Sequence, residues 1–216
     1  MITMAEQGQK INSDNVHGGT AKIVSLSASF ISLRCSDVMQ VELKMLTKGT
    51  SDTVIAVVET VQLPALDSRI SFHTTDWKPL PLGKHMKGGM VKMTDFIRKG
   101  TPKAIADDVM RRVRFPLFLM TFGKNDGQLV VSQQQKSFLS REDYNKIRPY
   151  LIDTITYDID KTKLKRSKKS LTHGRNYRHS PSRHEQIAQH YHSAGVQQPH
   201  QAAAGRPKCD ELLGGG

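Results

Sequence analysis

Met39-Gln40-Val41-Glu42-Leu43-Lys44-Met45 alternates apolar and polar side chains at every step. After the polar segment Thr47-Lys48-Gly49-Thr50-Ser51-Asp52 comes Val54-Ile55-Ala56-Val57-Val58, apolar without a break. Alternation of period two is the pattern of a strand with one face toward a core, and a short unbroken apolar run is that of a strand covered on both faces. The glycine-containing link between them is a hairpin connection, so the chain builds an antiparallel sheet around a central strand running from Thr53 to Leu63, which Pro64 ends. In this reading Gln40, Glu42 and Lys44 form the solvent face of a half-buried strand.

Working outward, Val24, Leu26, Ala28 and Phe30 alternate with Ser25, Ser27 and Ser29 and read as one further half-buried strand, while Arg69 to His73 reads as a short edge strand. Cys35 falls between two strands. Thr101-Pro102 opens a helix, with Thr101 as N-cap, Pro102 at the first helical position, and Ile105, Val109 and Val113 spaced four apart. Phe115 to Phe122 and Gln128 to Ser132 flank Gly123-Lys124-Asn125-Asp126-Gly127, a hairpin signal. Ser140-Arg141-Glu142-Asp143 is a capping-box variant that starts a short helix through Ile147, with Pro149 as its stop; Ile155, Tyr157 and Ile159 alternate as a last strand. The expected fold class is α+β, an antiparallel sheet with two or three short helices. The expected organisation is a flexible arm over 1–18, a folded domain over 19–160 and a basic, histidine-rich disordered tail over 161–216.

The 216 residues carry a formal net charge of +12 and a pI near 9.8. The tail alone holds eleven basic residues against three acidic ones, a net of +8, and six of the nine histidines. A segment so charged and so poor in apolar residues buries too little surface to offset its ordering entropy. Several function classes have no residues to carry them. No run of eighteen apolar residues is present for a spanning helix, and no apolar segment near the N-terminus reads as a secretory signal. Two cysteines, Cys35 and Cys209, make neither a disulfide framework nor a thiolate zinc site. The phosphate-cradling and nucleophile-elbow motifs are missing, and Asp107-Asp108 sit on adjacent helix positions that point apart, so an enzyme, a resident metal and a cofactor are all unexpected. His190-Tyr191-His192, flanked by His184 and His200, has no thiolate or carboxylate partner and reads as no more than adventitious metal binding.

Two stretches attract a functional reading. Lys161-Thr162-Lys163-Leu164-Lys165-Arg166-Ser167-Lys168-Lys169 has six cations in nine residues and contains a short import-type K-[KR]-x-[KR] match. Arg175, Arg178 and Arg183 follow, interleaved with Tyr177, His179 and His184. Such a row fits an acidic groove on a nuclear import carrier, and equally the phosphates of nucleic acid, with the aromatics stacking on bases. The bland alternative is a solubilising tail. Ser180-Pro181 within it reads as a phosphorylation site whose added charge weakens phosphate binding. The second stretch, Trp77 to Met90, sets the single tryptophan and Leu80 and Leu82 among Lys78, Lys84 and Lys87, the composition of a loop that enters an anionic membrane interface or a partner's groove. Its alternative is that the apolar groups fold back onto the core. Arg111, Arg112 and Arg114, at the end of the Thr101 helix, are explained by the helix dipole.

In organisation the chain resembles the matrix proteins of plant rhabdoviruses that replicate in the nucleus: a polar arm, a compact α+β domain with an apolar-basic loop (Trp77 to Met90) and a basic import-type tail (Lys161 to Lys169). The resemblance implies a non-enzymatic structural protein that condenses a ribonucleoprotein, contacts anionic membrane, self-associates and resides in the host nucleus and the virion. The chain departs from matrix proteins that bud through P-P-x-Y or P-[TS]-A-P, neither of which it contains. The rival expectation is a viral movement protein or silencing suppressor, acting on RNA directly and needing no membrane loop.

Overall fold

The computed structural model describes residues 12–14, 19–49, 52–122 and 127–167. The chain divides into two units, 1–168 and 169–216, and every described residue lies in the first. It is α+β, built on two antiparallel sheets rather than one. The larger is a seven-stranded meander in chain order: β1 (Asn12–Asp14), β2 (Thr20–Ser27), β3 (Phe30–Ser36), β4 (Met39–Lys48), β5 (Asp52–Val61), β6 (Asp67–His73) and β7 (Pro79–Leu80). The smaller has the order β11-β10-β9-β8, from β8 (Phe118–Phe122), β9 (Gln128–Gln133), β10 (Thr154–Asp160) and β11 (Lys163–Arg166). Four short α-helices are described: α1 (Leu82–His85), α2 (Lys103–Arg112), α3 (Gln135–Phe138) and α4 (Arg141–Ile147).

The β4–β5 hairpin stands as expected, pairing Met39 with Val61 through Lys48 with Asp52. Other local expectations are corrected. Ser27 and Phe30 close a tight turn, so the run read as one strand is split into β2 and β3, and Cys35 lies inside β3, 8% exposed. β6 is an interior strand between β5 and the two-residue β7. The N-cap of α2 is Pro102; Thr101 turns away, its hydroxyl donating to the Arg98 carbonyl (2.8 Å). Ser140 does cap α4, accepting from the Asp143 N–H (3.1 Å). Pro149 does not stop the chain turning: a 3-10 turn over Arg148–Tyr150 continues it. β1 pairs with β2 within the stretch expected as an N-terminal arm, and β11 pairs with β10 within the stretch expected as a tail.

One core joins the sheets. Val54, Ala56, Val58, Ile70 and Phe72 from the large sheet meet Met120, Leu129, Val131, Ile155, Tyr157 and Leu164 from the small one, with Val109, Tyr144 and Ile147 from the helices. Residues directly opposite on paired strands share a face, so Leu46, opposite Val54, identifies the inward face of β4 as the one that also carries Gln40, Glu42 and Lys44. All three are buried, at 8%, 8% and 3% exposure. The alternation is as expected and its sense is the reverse. The polar side chains point in and Val41, Leu43 and Met45 point out.

The reason lies in the small sheet. β8 is an edge strand, and an edge leaves backbone N–H groups without a ladder partner. Every second N–H of β8 donates to a side chain of the large sheet: Phe118 to Asp67 Oδ1 (3.3 Å), Met120 to Ser68 Oγ (3.0 Å) and Phe122 to Glu42 Oε2 (2.9 Å). Ser68 is held in turn by Thr60 (2.8 Å), and Glu42 by Gln40 Nε2 (3.4 Å), which also donates to Ser32 (3.1 Å). Lys44 Nζ donates to Ser29 Oγ (2.9 Å). The inward polar residues therefore satisfy the edge of the opposing sheet and one another.

Candidate anion-binding cleft

The two stretches singled out in the sequence meet. Met86 and Leu164 form a parallel bridge, Lys87 N–H donates to the Leu164 carbonyl (3.0 Å), and His85 Nδ1 donates to the Thr162 carbonyl (2.8 Å). Met86 and Leu164 are fully buried in the shared core. This junction, together with the end of the β4–β5 hairpin, walls a cleft of about 610 Å³. The hairpin contributes Lys48, Asp52, Thr53 and Val54; β7 and α1 contribute Leu80, Lys84 and His85; the β10–β11 hairpin contributes Asp160, Lys161, Thr162, Lys163 and Lys165. Five lysines face two aspartates.

Asp160 is held below the ordinary carboxylate range, first by its hydrogen bond and ion pair with Lys165 and further by the charges of Lys161 and Lys163. It is ionised and occupies Lys165. Lys48, Lys84, Lys161 and Lys163 form no ion pair among the described residues. Because a carbonyl can only accept, His85 carries its proton on Nδ1, and its buried Nε2 has no partner among the described residues. The ring is packed against Phe72, centroids 5.4 Å apart.

Lys161 stands in the left-handed region at φ 57°, in the two-residue turn closed by Asp160 and Lys163. An L side chain there costs on the order of 1 kcal/mol, which glycine avoids. Lys161→Gly is therefore expected to raise the urea midpoint, a gain of up to about 1 kcal/mol, while weakening anion binding. A substitution that stabilises the fold and impairs binding would mark Lys161 as kept for its charge.

Of the cations singled out by sequence, Lys161, Lys163, Lys165 and Lys84 line the cleft. Arg166 does not: it reaches Asp95, donating to Oδ1 (3.3 Å) and to the backbone carbonyl (3.0 Å). Residues 163–166 are thus a paired strand with one buried side chain, not the free row of cations that a carrier groove grips, and the boundary expected at residue 160 is corrected to lie beyond β11. Lys168, Lys169, Arg175, Arg178 and Arg183, with Ser180-Pro181 and the tail histidines, lie outside the described residues. The loop reading of Trp77 to Met90 is corrected in part. Leu80 and Leu82 pack against the core and Met86 is buried in it, so the apolar groups left on the surface of this stretch are Trp77, 43% exposed, and Met90, 45% exposed, with Lys78 and Lys87 beside them in sequence. Arg112 is a strut between helices, bonded to Asp108 (2.8 Å) and Asp143 (2.6 Å); with Arg111 also on Asp108, the helix-end arginines are largely accounted for by ion pairs. What the sequence did not show were Lys48, Asp52 and Thr53, which carry no motif and reach the cleft only because the β4–β5 hairpin ends there.

A family model described as a protein of unknown function, DUF3256, matches residues 1–164. The chain belongs to this family. The DUF3256 match takes in all three walls of the cleft up to Leu164 in β11. The fold of this chain is similar to that of a solved structure, a domain of an uncharacterized protein from Porphyromonas gingivalis W83, at 21% identity and a TM-score of 0.66, over 78% of this chain and 87% of that one. That likeness concerns fold alone. No curated protein matches. Among the described residues, no helix is long and apolar enough to cross a membrane, and no three His, Cys, Asp or Glu side chains are grouped to hold a metal ion.

Proposed function

We propose that this protein is a non-enzymatic binder of phosphate-bearing polyanions, nucleic acid foremost, and that the lysine-lined cleft holds the phosphate backbone. The observation that carries the reading is the convergence of five lysines from three separate segments on one concavity in which, among the described residues, Lys165 alone is neutralised by an ion pair. Lysine is a compact, mobile point charge that neutralises phosphate without the planar fork by which arginine reads guanine or clamps a carboxylate. Among the described residues, the lining has no aromatic side chain apart from His85 on which a base could stack. Such a site favours backbone contact with little sequence preference. The matrix-type role expected from the chain's organisation, with ribonucleoprotein condensation in nucleus and virion, is one setting for this chemistry. Its support is organisation and charge, and the reading offered here needs only the chemistry.

The test is the affinity for a single-stranded RNA oligonucleotide as a function of salt. With Lys48, Lys84, Lys161 and Lys163 each neutralising a phosphate, the slope of log affinity against log salt is expected at roughly −3, and Lys84→Gln with Lys163→Gln should flatten it by about 1.4. A slope untouched by those substitutions but abolished in a chain ending at Ser167 would move the binding to the tail and overturn the cleft reading.

A further inference from the structure

The inversion of β4 has a second side. With Gln40, Glu42 and Lys44 turned inward, the opposite face of the large sheet carries Val41, Leu43 and Met45 of β4, and the registers place Ile31 and Leu33 of β3 and Ile55 and Val57 of β5 beside them. None of these residues belongs to the shared core. Met45 is 44% exposed, Ile31, Leu33, Leu43 and Ile55 are half-buried, and Val41 and Val57, at 5% and 7%, are buried, so the open part of the face centres on Leu43, Met45 and Ile55. His73 extends the row from Ile55, with the Trp77 ring 5.8 Å from it. Trp77 is itself held at φ 59°, a conformation that bulky side chains rarely adopt.

We infer that this face is the interface between two copies of the chain. Three features point to a second copy rather than to another occupant. First, the face is uncharged through its centre. Its charged pair on β5 and β6, Glu59 and Arg69, is already joined in an ion pair, and the outward positions of β3, β4 and β5 hold no lysine, although the chain has 32 basic residues. A partner of opposite charge has nothing to grip there. Second, a chain at +12 repels its own copies over its charged surfaces, so an uncharged face is where two copies approach at least cost. Third, size: the five adjacent strands β2 to β6, with β3, β4 and β5 at the centre, are about 4.8 Å apart and some seven residues long and span roughly 550 Å² of projected sheet, on the order of the ~800 Å² per partner of a specific interface. A two-fold axis through the face sets Leu43 and Met45 against their equivalents, as aligned sheets pack in a sandwich.

The test is sedimentation of the full chain over a range of concentration and salt. The expected result is a monomer–dimer equilibrium that tightens as salt rises, the reverse of RNA binding, because salt screens the repulsion between copies. Met45→Lys, at an exposed position that leaves the fold intact, and Leu43→Lys should each weaken the dimer at least about tenfold by placing an unpaired charge in the contact, with the salt slope for RNA unchanged. A chain that stays monomeric throughout, a dimer indifferent to both substitutions, or growth into open-ended assemblies would overturn the inference. So would a monomer that binds uncharged phosphatidylcholine vesicles and loses that binding in Met45→Lys, which would assign the face to lipid.

Discussion

Leu164→Ala is expected to destabilise the protein by about 3 kcal/mol, within the range for emptying a fully buried leucine site, and to weaken anion binding as well. Leu164 is the one buried side chain of β11 and holds the strand against Met86 and Lys87, so the cavity opens at the seam that forms the cleft floor. Lys163 and Lys165 on either side lose their fixed positions with it. The check is paired: urea unfolding for stability, and RNA affinity against salt for the site. Lys-to-Gln substitutions in the cleft should change the second and leave the first, whereas Leu164→Ala should change both. A cost below about 1 kcal/mol would mean that β11 contributes little to the core. The same geometry bears on truncation. A chain cut after Asp160 loses Leu164 and half the cleft along with the tail, so a comparison meant to isolate the tail must end at Ser167.

Glu42→Leu is the second large effect, expected to cost about 1–3 kcal/mol by leaving the buried Phe122 N–H without its acceptor. Glu42→Gln separates that hydrogen bond from the charge. Burial pushes the Glu42 carboxyl above its ordinary value, more than the bonds from the Phe122 N–H and Gln40 pull it down. An acid with a raised folded-state value binds more protons folded than unfolded in the window between the two values, so stability falls as pH rises through that window and stays lowered above it. Glu42→Gln, which keeps an oxygen for Phe122, should therefore be more stable than the natural protein at neutral pH and have a flatter profile across the mildly acidic range. Urea midpoints measured from pH 4 to pH 7 decide it; a Gln variant less stable at neutral pH would show that the ionised carboxylate is the better acceptor.

These two residues also show what could be read from the sequence and what could not. The β4–β5 hairpin, the β8–β9 hairpin and the Ser140 cap were legible because each is written in adjacent residues: alternation, a polar turn, a hydroxyl three positions before an N–H. The sense of β4 was not. Alternation gives a period but no sign, and here the sign is set by Phe122, 80 positions away, whose N–H needs an acceptor. β11 was hidden by composition, since Lys163-Leu164-Lys165-Arg166 offers a single apolar residue and its charge dominates any reading. The cleft was half visible. Charge density drew attention to Lys161, Lys163, Lys165 and Lys84, but only the fold shows that two distant stretches share a wall and that Lys48 completes it.

The bonds from β8 to Asp67, Ser68 and Glu42 have a consequence for how the molecule can change. Strands joined by a backbone ladder stay joined under almost any substitution, because the ladder is the same for every sequence. Here the hydrogen bonds from β8 to the large sheet rest on three side chains, and each can be removed by a single codon change. Removing all three would leave β8 with bare amides at alternate positions, a sticky end ready to recruit a strand from another molecule. The carboxylates and the serine thus act as a stopper as well as a seam: they keep the chain from polymerising through its own edge.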